Sequence, residues 1–150
     1  MAAATFTKIN DWINNAIENA DLDADTFRIA LSNTAPSAES SNPTADGNGV
    51  LANVTQIAYT NYSDDLTVDR TLEGTSGASS GGTYTFDSTV DFRITASGGA
   101  LPEFRYVYIY DDTLAGDPLL AVWDYGAGLT LLENDSVDVT FNASGIFTIA

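Results

Sequence analysis

FRYVYIYDDTLAGDPLLAVWDYG, residues Phe104 to Gly126, decides how this chain folds. Tyr106, Tyr108 and Tyr110 fall on alternate positions with Phe104, while Arg105, Val107 and Ile109 take the other parity. After an acidic break, Leu119, Ala121, Trp123 and Tyr125 alternate with Leu120, Val122 and Asp124. A period of two is the period of a strand. Both parities of both segments are largely apolar, and a strand apolar on both faces is a strand covered on both. The DDTLAGDP connection is made of turn residues, so the two segments are expected to form a hairpin in the centre of the fold. The rings then read as core. The alternative is an aromatic platform for carbohydrate or protein at Tyr106, Tyr108 and Tyr110, since phenol hydroxyls can emerge at an edge.

Outward from that hairpin the period of two continues. TFRIALS alternates Phe27, Ile29 and Leu31 with Arg28, Ala30 and Ser32; DLTVDRTLE alternates Leu66, Val68 and Leu72 with polar residues; TVDFRITA alternates Val90, Phe92 and Ile94 with Asp91, Arg93 and Thr95. Each predicts a strand with one wet face. SVDVTF and GIFTIA, joined by an Asn142-Ala143-Ser144-Gly145 turn, predict a closing hairpin. Leu129 to Leu132 and Thr83 to Asp87 are shorter candidates, which brings the expectation to about eight strands.

One stretch has helical spacing. In KINDWINNAIENA the residues Ile9, Trp12, Ile13, Ala16, Ile17 and Ala20 form one stripe, which predicts an amphipathic helix from about Lys8 to about Ala20 with Thr7 as its cap. Its four asparagines are weak helix formers, so it should depend on burying its stripe against a sheet. The predicted fold is therefore mainly β: an antiparallel β-sandwich or barrel-like domain with one N-terminal amphipathic helix, a single domain over residues 1–150. Asn33 to Gly49 and Gly74 to Gly82 are rich in Ser, Thr, Gly and Pro and read as flexible segments, the places where the chain reaches beyond its own fold.

Charge excludes several functions. Five Lys plus Arg stand against 21 Asp plus Glu, a formal net charge of −16. Nucleic-acid affinity is built from cations that replace counterions at phosphates, so neither nucleic acid nor an anionic membrane is an expected partner. Without cysteine or histidine, the chain lacks disulfides, thiol nucleophiles, the usual zinc sites and imidazole bases. The start MAAATFTK lacks the basic and apolar regions of a secretory signal, and without export the four Asn-X-Ser/Thr triplets, at Asn53, Asn61, Asn134 and Asn142, read as accidental.

Acidic clusters at Asp21-Asp23-Asp25, Asp64-Asp65 and Asp111-Asp112-Asp117 offer oxygens suited to Ca²⁺. None has the spacing of a twelve-residue calcium loop, and Asp is a favoured turn residue. No motif organises carboxylates for catalysis. The chain reads as a non-enzyme with no cofactor and no metal.

The ordered set FTKINDWINNAIENADLDADTFRIALSNTAP, SGGTYTFDSTVDF, PEFRYVYIYDDTLAGDPLLAVWDYG and SVDVTFNASGIFTIA resembles a group of small virion structural proteins of tailed bacteriophages that includes capsid decoration (cement) proteins. The resemblance covers nearly the whole chain. It implies a protein made in the host cytoplasm and seated on the outer surface of the capsid, with the major capsid protein as partner. A homotrimer is expected, since copies gain avidity by engaging adjacent capsomers. Contacts are expected from the irregular parts, through Phe6, Thr7, Asn33, Pro36 and Pro43 toward the capsid, and through Gly74 and Gly77 between subunits. A tail or fibre component, or a carbohydrate-binding module using the aromatic face, is the alternative.

Overall fold

The computed structural model describes residues 4–9, 20–36 and 49–149. Ten strands are defined: β1 (Thr5–Lys8), β2 (Phe27–Ser32), β3 (Tyr62–Asp64), β4 (Thr75–Ser80), β5 (Thr83–Ser88), β6 (Phe92–Ala96), β7 (Leu101–Asp111), β8 (Leu119–Leu131), β9 (Ser136–Val139) and β10 (Phe147–Ile149). They form a four-stranded sheet of order β1-β8-β7-β2 and two three-stranded sheets, β10-β5-β4 and β3-β6-β9. Every strand pairing is antiparallel, so the fold is mainly β as expected.

The β7–β8 hairpin is the centre of the four-stranded sheet, and both its faces are covered along Tyr106–Asp111 and Leu119–Val122. Register sorts the side chains into rows. Leu31, Val107, Trp123 and Phe6 share one face, as do Ile29, Ile109, Ala121 and Lys8. Ala30, Tyr108, Val122 and Thr7 share the other. On the first face Phe27 packs edge-on to Phe86 of β5 with ring centres 4.8 Å apart, and Trp123 lies 5.9 Å from Phe141, two residues past the end of β9. On the second face Tyr108 is buried and its hydroxyl donates to the Thr34 carbonyl at 2.7 Å. One connected cluster of buried apolar side chains joins the three sheets.

Several expectations change. TFRIALS does become β2, but Ala30 and Ser32 are as buried as Ile29 and Leu31, so it has no wet face. Its outer edge is closed by other backbone: Ile29 N–H donates to Arg70 O, Ile57 N–H to Leu31 O, and Leu31 N–H to the Tyr59 hydroxyl.

DLTVDRTLE is not a strand. The Asp64 carboxylate accepts from the amides of Leu66 and Arg70, and the Glu73 carboxylate from that of Thr67, so side chains bind amides that a strand would offer to a neighbour. The segment touches β2 through a single bridge, Arg28 to Thr71, and Val68 is left 58 % exposed.

The Gly74–Gly82 segment, read as flexible, is β4 plus a tight turn. Gly81 and Gly82 at φ 58° and 86° supply the two positive-φ positions of a two-residue hairpin loop, and ladder pairing to β5 needs no side chains. Gly77 lies opposite Phe86, where a side chain would overlap the Tyr84 phenol.

SVDVTF and GIFTIA do not pair with each other. The turn between them forms, with Gly145 N–H donating to Asn142 O at 2.8 Å, but β9 pairs with β6 and β10 with β5.

Most of the amphipathic helix expected from about Lys8 to about Ala20, residues 10–19, lies outside the described residues, and the described residues at its two ends are not helical. Its predicted first residue, Lys8, is a strand residue opposite Ala121, and Ile9 N–H continues the line by donating to Leu120 O at 3.1 Å. Thr7, expected as the cap, is a strand residue paired with Val122.

Candidate functional site

An open concavity arises where β8 runs out of partners to bury it. Leu119 to Val122 are buried, Trp123 to Tyr125 half-buried and Gly126 to Gly128 exposed. Along this stretch the four-stranded sheet parts from the strands facing it and leaves an open groove of about 780 Å³. Its floor carries Phe6, Phe104, Val107, Trp123 and Tyr125. Phe6 sits opposite Trp123 in the β1–β8 register with ring centres 5.2 Å apart, and is 37 % exposed. Residues 137–142 form one wall and 144–148 the other. The volume falls in the range of ligand sites, as does the mixture of rings with a few polar groups.

The electrostatics around the groove are local and acidic. Arg93 Nε meets Asp138 Oδ1 at 2.6 Å, and Arg105 makes a two-pronged contact with Asp124 at 2.7 and 2.8 Å. Each arginine holds its aspartate below the usual carboxylate range, and each aspartate raises the basicity of its guanidinium. Arg28 pairs with Asp112 at 3.6 Å and Arg70 with Asp69 at 3.1 Å, so all four arginines are engaged by aspartates. Arg70 also stacks over the Tyr59 ring at 4.1 Å. Burial pushes the Tyr59 and Tyr62 phenols up, and for Tyr62 the Asp64 carboxylate that accepts its proton at 2.7 Å adds to the effect.

The acidic turn between β7 and β8 has its own geometry. Asp111 Oδ1 accepts from the amides of Thr113 at 2.9 Å and Leu114 at 3.2 Å, the arrangement of an Asx turn. Asp111 is fully buried, and among the described residues its Oδ2 has no donor. Burial pushes its carboxyl up to about 6, with the nearby Asp25 carboxylate reinforcing the rise. Among the described residues no group of three or more acidic side chains is arranged to hold a metal ion.

The residues expected to make contacts are not brought together. Phe6 lines the groove, whereas Thr7 is half-buried on the opposite face of the same strand. Asn33 lies beyond the other edge of the four-stranded sheet, where its Nδ2 donates to Glu103 O at 2.8 Å; Pro36 is half-buried, and Pro43 is outside the described residues. Gly74 (φ 63°) leads into β4, and Gly77 N–H within β4 donates to Asp23 Oδ1 at 3.3 Å. Tyr106, Tyr108 and Tyr110 are 6 %, 0 % and 4 % exposed, so those three rings present no platform.

The groove residues Trp123, Tyr125, Val137, Val139 and Phe141 fall on stretches that the sequence reads as strands and were not among the expected contact residues. The available signal was the loss of bulk after Tyr125, where GAG follows an apolar run. No protein-family model, curated protein or solved structure matches this chain.

Proposed function

We propose that the chain is a non-enzymatic structural protein of a tailed-bacteriophage virion that binds the outside of the capsid and stabilises it, as a decoration or cement protein. The observation that carries the outward placement is charge. All four arginines are engaged by neighbouring aspartates, within a chain of net charge −16. Such a surface gains nothing beside packaged DNA and keeps a free subunit from self-associating before assembly. The phage assignment rests on the sequence resemblance. The three sheets are read as an open sandwich, the four-stranded sheet on one side and the two three-stranded sheets on the other, in keeping with the ring contacts between them.

Self-association as a trimer at capsomer junctions completes the reading, with β4 at the edge of its sheet as a self-contact. The alternative, a tail or fibre component or a carbohydrate-binding module, loses its tyrosine platform to burial and would have to use the groove rings instead. A reconstruction of intact particles, beside particles lacking this chain, tests both. External density at capsomer junctions, with heads that break at lower temperature when it is missing, supports the capsid role. Density at the tail, or heads equally tough without it, refutes it.

A further inference from the structure

The expected closing hairpin has a turn but no ladder, and the groove lies between its two legs. Among the described residues β9 is hydrogen-bonded on one side only, to β6, and β10 on one side only, to β5, so each is the edge of its sheet. A strand that shows a cavity its face contributes alternate residues; a strand that shows its edge contributes consecutive ones. Here β9 contributes the consecutive residues 137–139 and β10 the consecutive residues 147 and 148, while 140–142 and 144–146, which line the groove between them, belong to the connection and not to a strand. Two strand edges thus look into one open groove, over a floor of rings from the four-stranded sheet.

We propose that this groove takes one extended segment of a partner polypeptide as an added strand, bridging β9 and β10 into a continuous sheet. Strand addition satisfies main-chain groups on the receiving edge, and every second side chain of the guest would descend onto Phe6, Val107 and Trp123. Charge selects the guest. None of the described residues lining the groove is basic, Asp138 on its wall is already paired with Arg93, and the whole chain carries a net charge of −16, so the segment is neutral or basic and alternates apolar with polar residues. Its length is that of an ordinary strand, about five or six residues. The inference does not depend on the capsid reading; it applies to any partner that offers such a segment.

The test uses the full chain, isotopically labelled, and a synthetic peptide of about ten residues in which valine alternates with threonine, with a lysine at each end. Two further peptides serve as controls, one with prolines at two central threonines and one with glutamate at the ends. The expected result is amide shifts concentrated in residues 137–148 together with Phe6 and Trp123. Binding should be about tenfold weaker for the proline peptide, which lacks donors the edges need. The glutamate peptide should also bind more weakly, and less so in salt. Because a free peptide binds weakly, the same strand is also tethered after Ala150 through a glycine–serine linker, and the tethered chain should melt several degrees higher.

Failure of both the free and the tethered strand to act on these amides overturns the proposal. So does equal binding of the proline peptide. Shifts of the same amides on dilution series of the protein alone would assign the groove to a second copy, and shifts with maltohexaose but not with peptide would assign it to a saccharide. Either result overturns the proposal too.

Discussion

Replacing Asp111 with asparagine should stabilise the protein at neutral pH. Asparagine keeps the Oδ1 acceptor that holds the Thr113 and Leu114 amides, and puts an NH₂, a donor toward the neighbouring Asp25 carboxylate, in place of the buried Oδ2, which has no donor among the described residues. The native carboxyl is pushed from 3.8 to about 6, so the folded state binds its proton more tightly than the unfolded chain does. Stability from this group is fully present below the unfolded value and is lost as pH rises through about 6. The loss at pH 8 is about 3 kcal/mol. For a chain of this size that corresponds to roughly 5–10 °C in Tm. Thermal melts of Asp111→Asn and the native protein should coincide near pH 4 and diverge between pH 4 and pH 7, with the variant the more stable. Taking the difference between the two proteins removes the general repulsion of a net charge of −16 from the comparison. A pH-independent difference, or a variant less stable at pH 8, would show that the carboxylate is not strained by burial and that the reasoning is wrong.

Gly145→Ala should cost about 1–3 kcal/mol in urea unfolding, because φ is 99° and a Cβ there comes within 3.0 Å of the Phe86 carbonyl; an unchanged midpoint would contradict that placement. Tyr108→Phe should cost about 1–2 kcal/mol, since it removes the donor to the Thr34 carbonyl; a neutral effect would mean that water serves that carbonyl as well.

The central hairpin was legible because its information is local. Alternation on both parities of Phe104–Tyr110 and Leu119–Tyr125 states that both faces are covered, and DDTLAGDP states where the chain turns. β6 was legible for the same reason, with Phe92, Ile94 and Ala96 buried and Arg93 exposed. Alternation failed at DLTVDRTLE because Asp64 and Glu73 bind its amides, a competition between side chain and ladder that hydrophobic period does not register. It failed in the opposite direction at GTSGASSGG. There the strand is specified by its neighbour: β5 supplies the ladder, the two glycines the turn and Tyr84 the cover over Gly77.

The closing segment shows why the site was harder to read than the fold. Asn142 to Gly145 encodes a turn correctly, yet a turn fixes only that the chain reverses, not which strands its legs choose. β9 lies on β6 because Val137 and Val139 lie opposite Ile94 and Phe92, and β10 on β5 because Phe147 packs on Phe86 at 5.3 Å; both choices involve residues dozens of positions away. Once the legs diverge, the space between them is a property of two pairings and of no residue in either leg. A groove made in this way leaves no motif, which is why Phe6 was the one expected contact residue to fall in it while Trp123 and Phe141 passed as core. The same divergence is what leaves two strand edges facing one cavity, so the feature least legible in the sequence is the one that gives this fold a place to receive another chain.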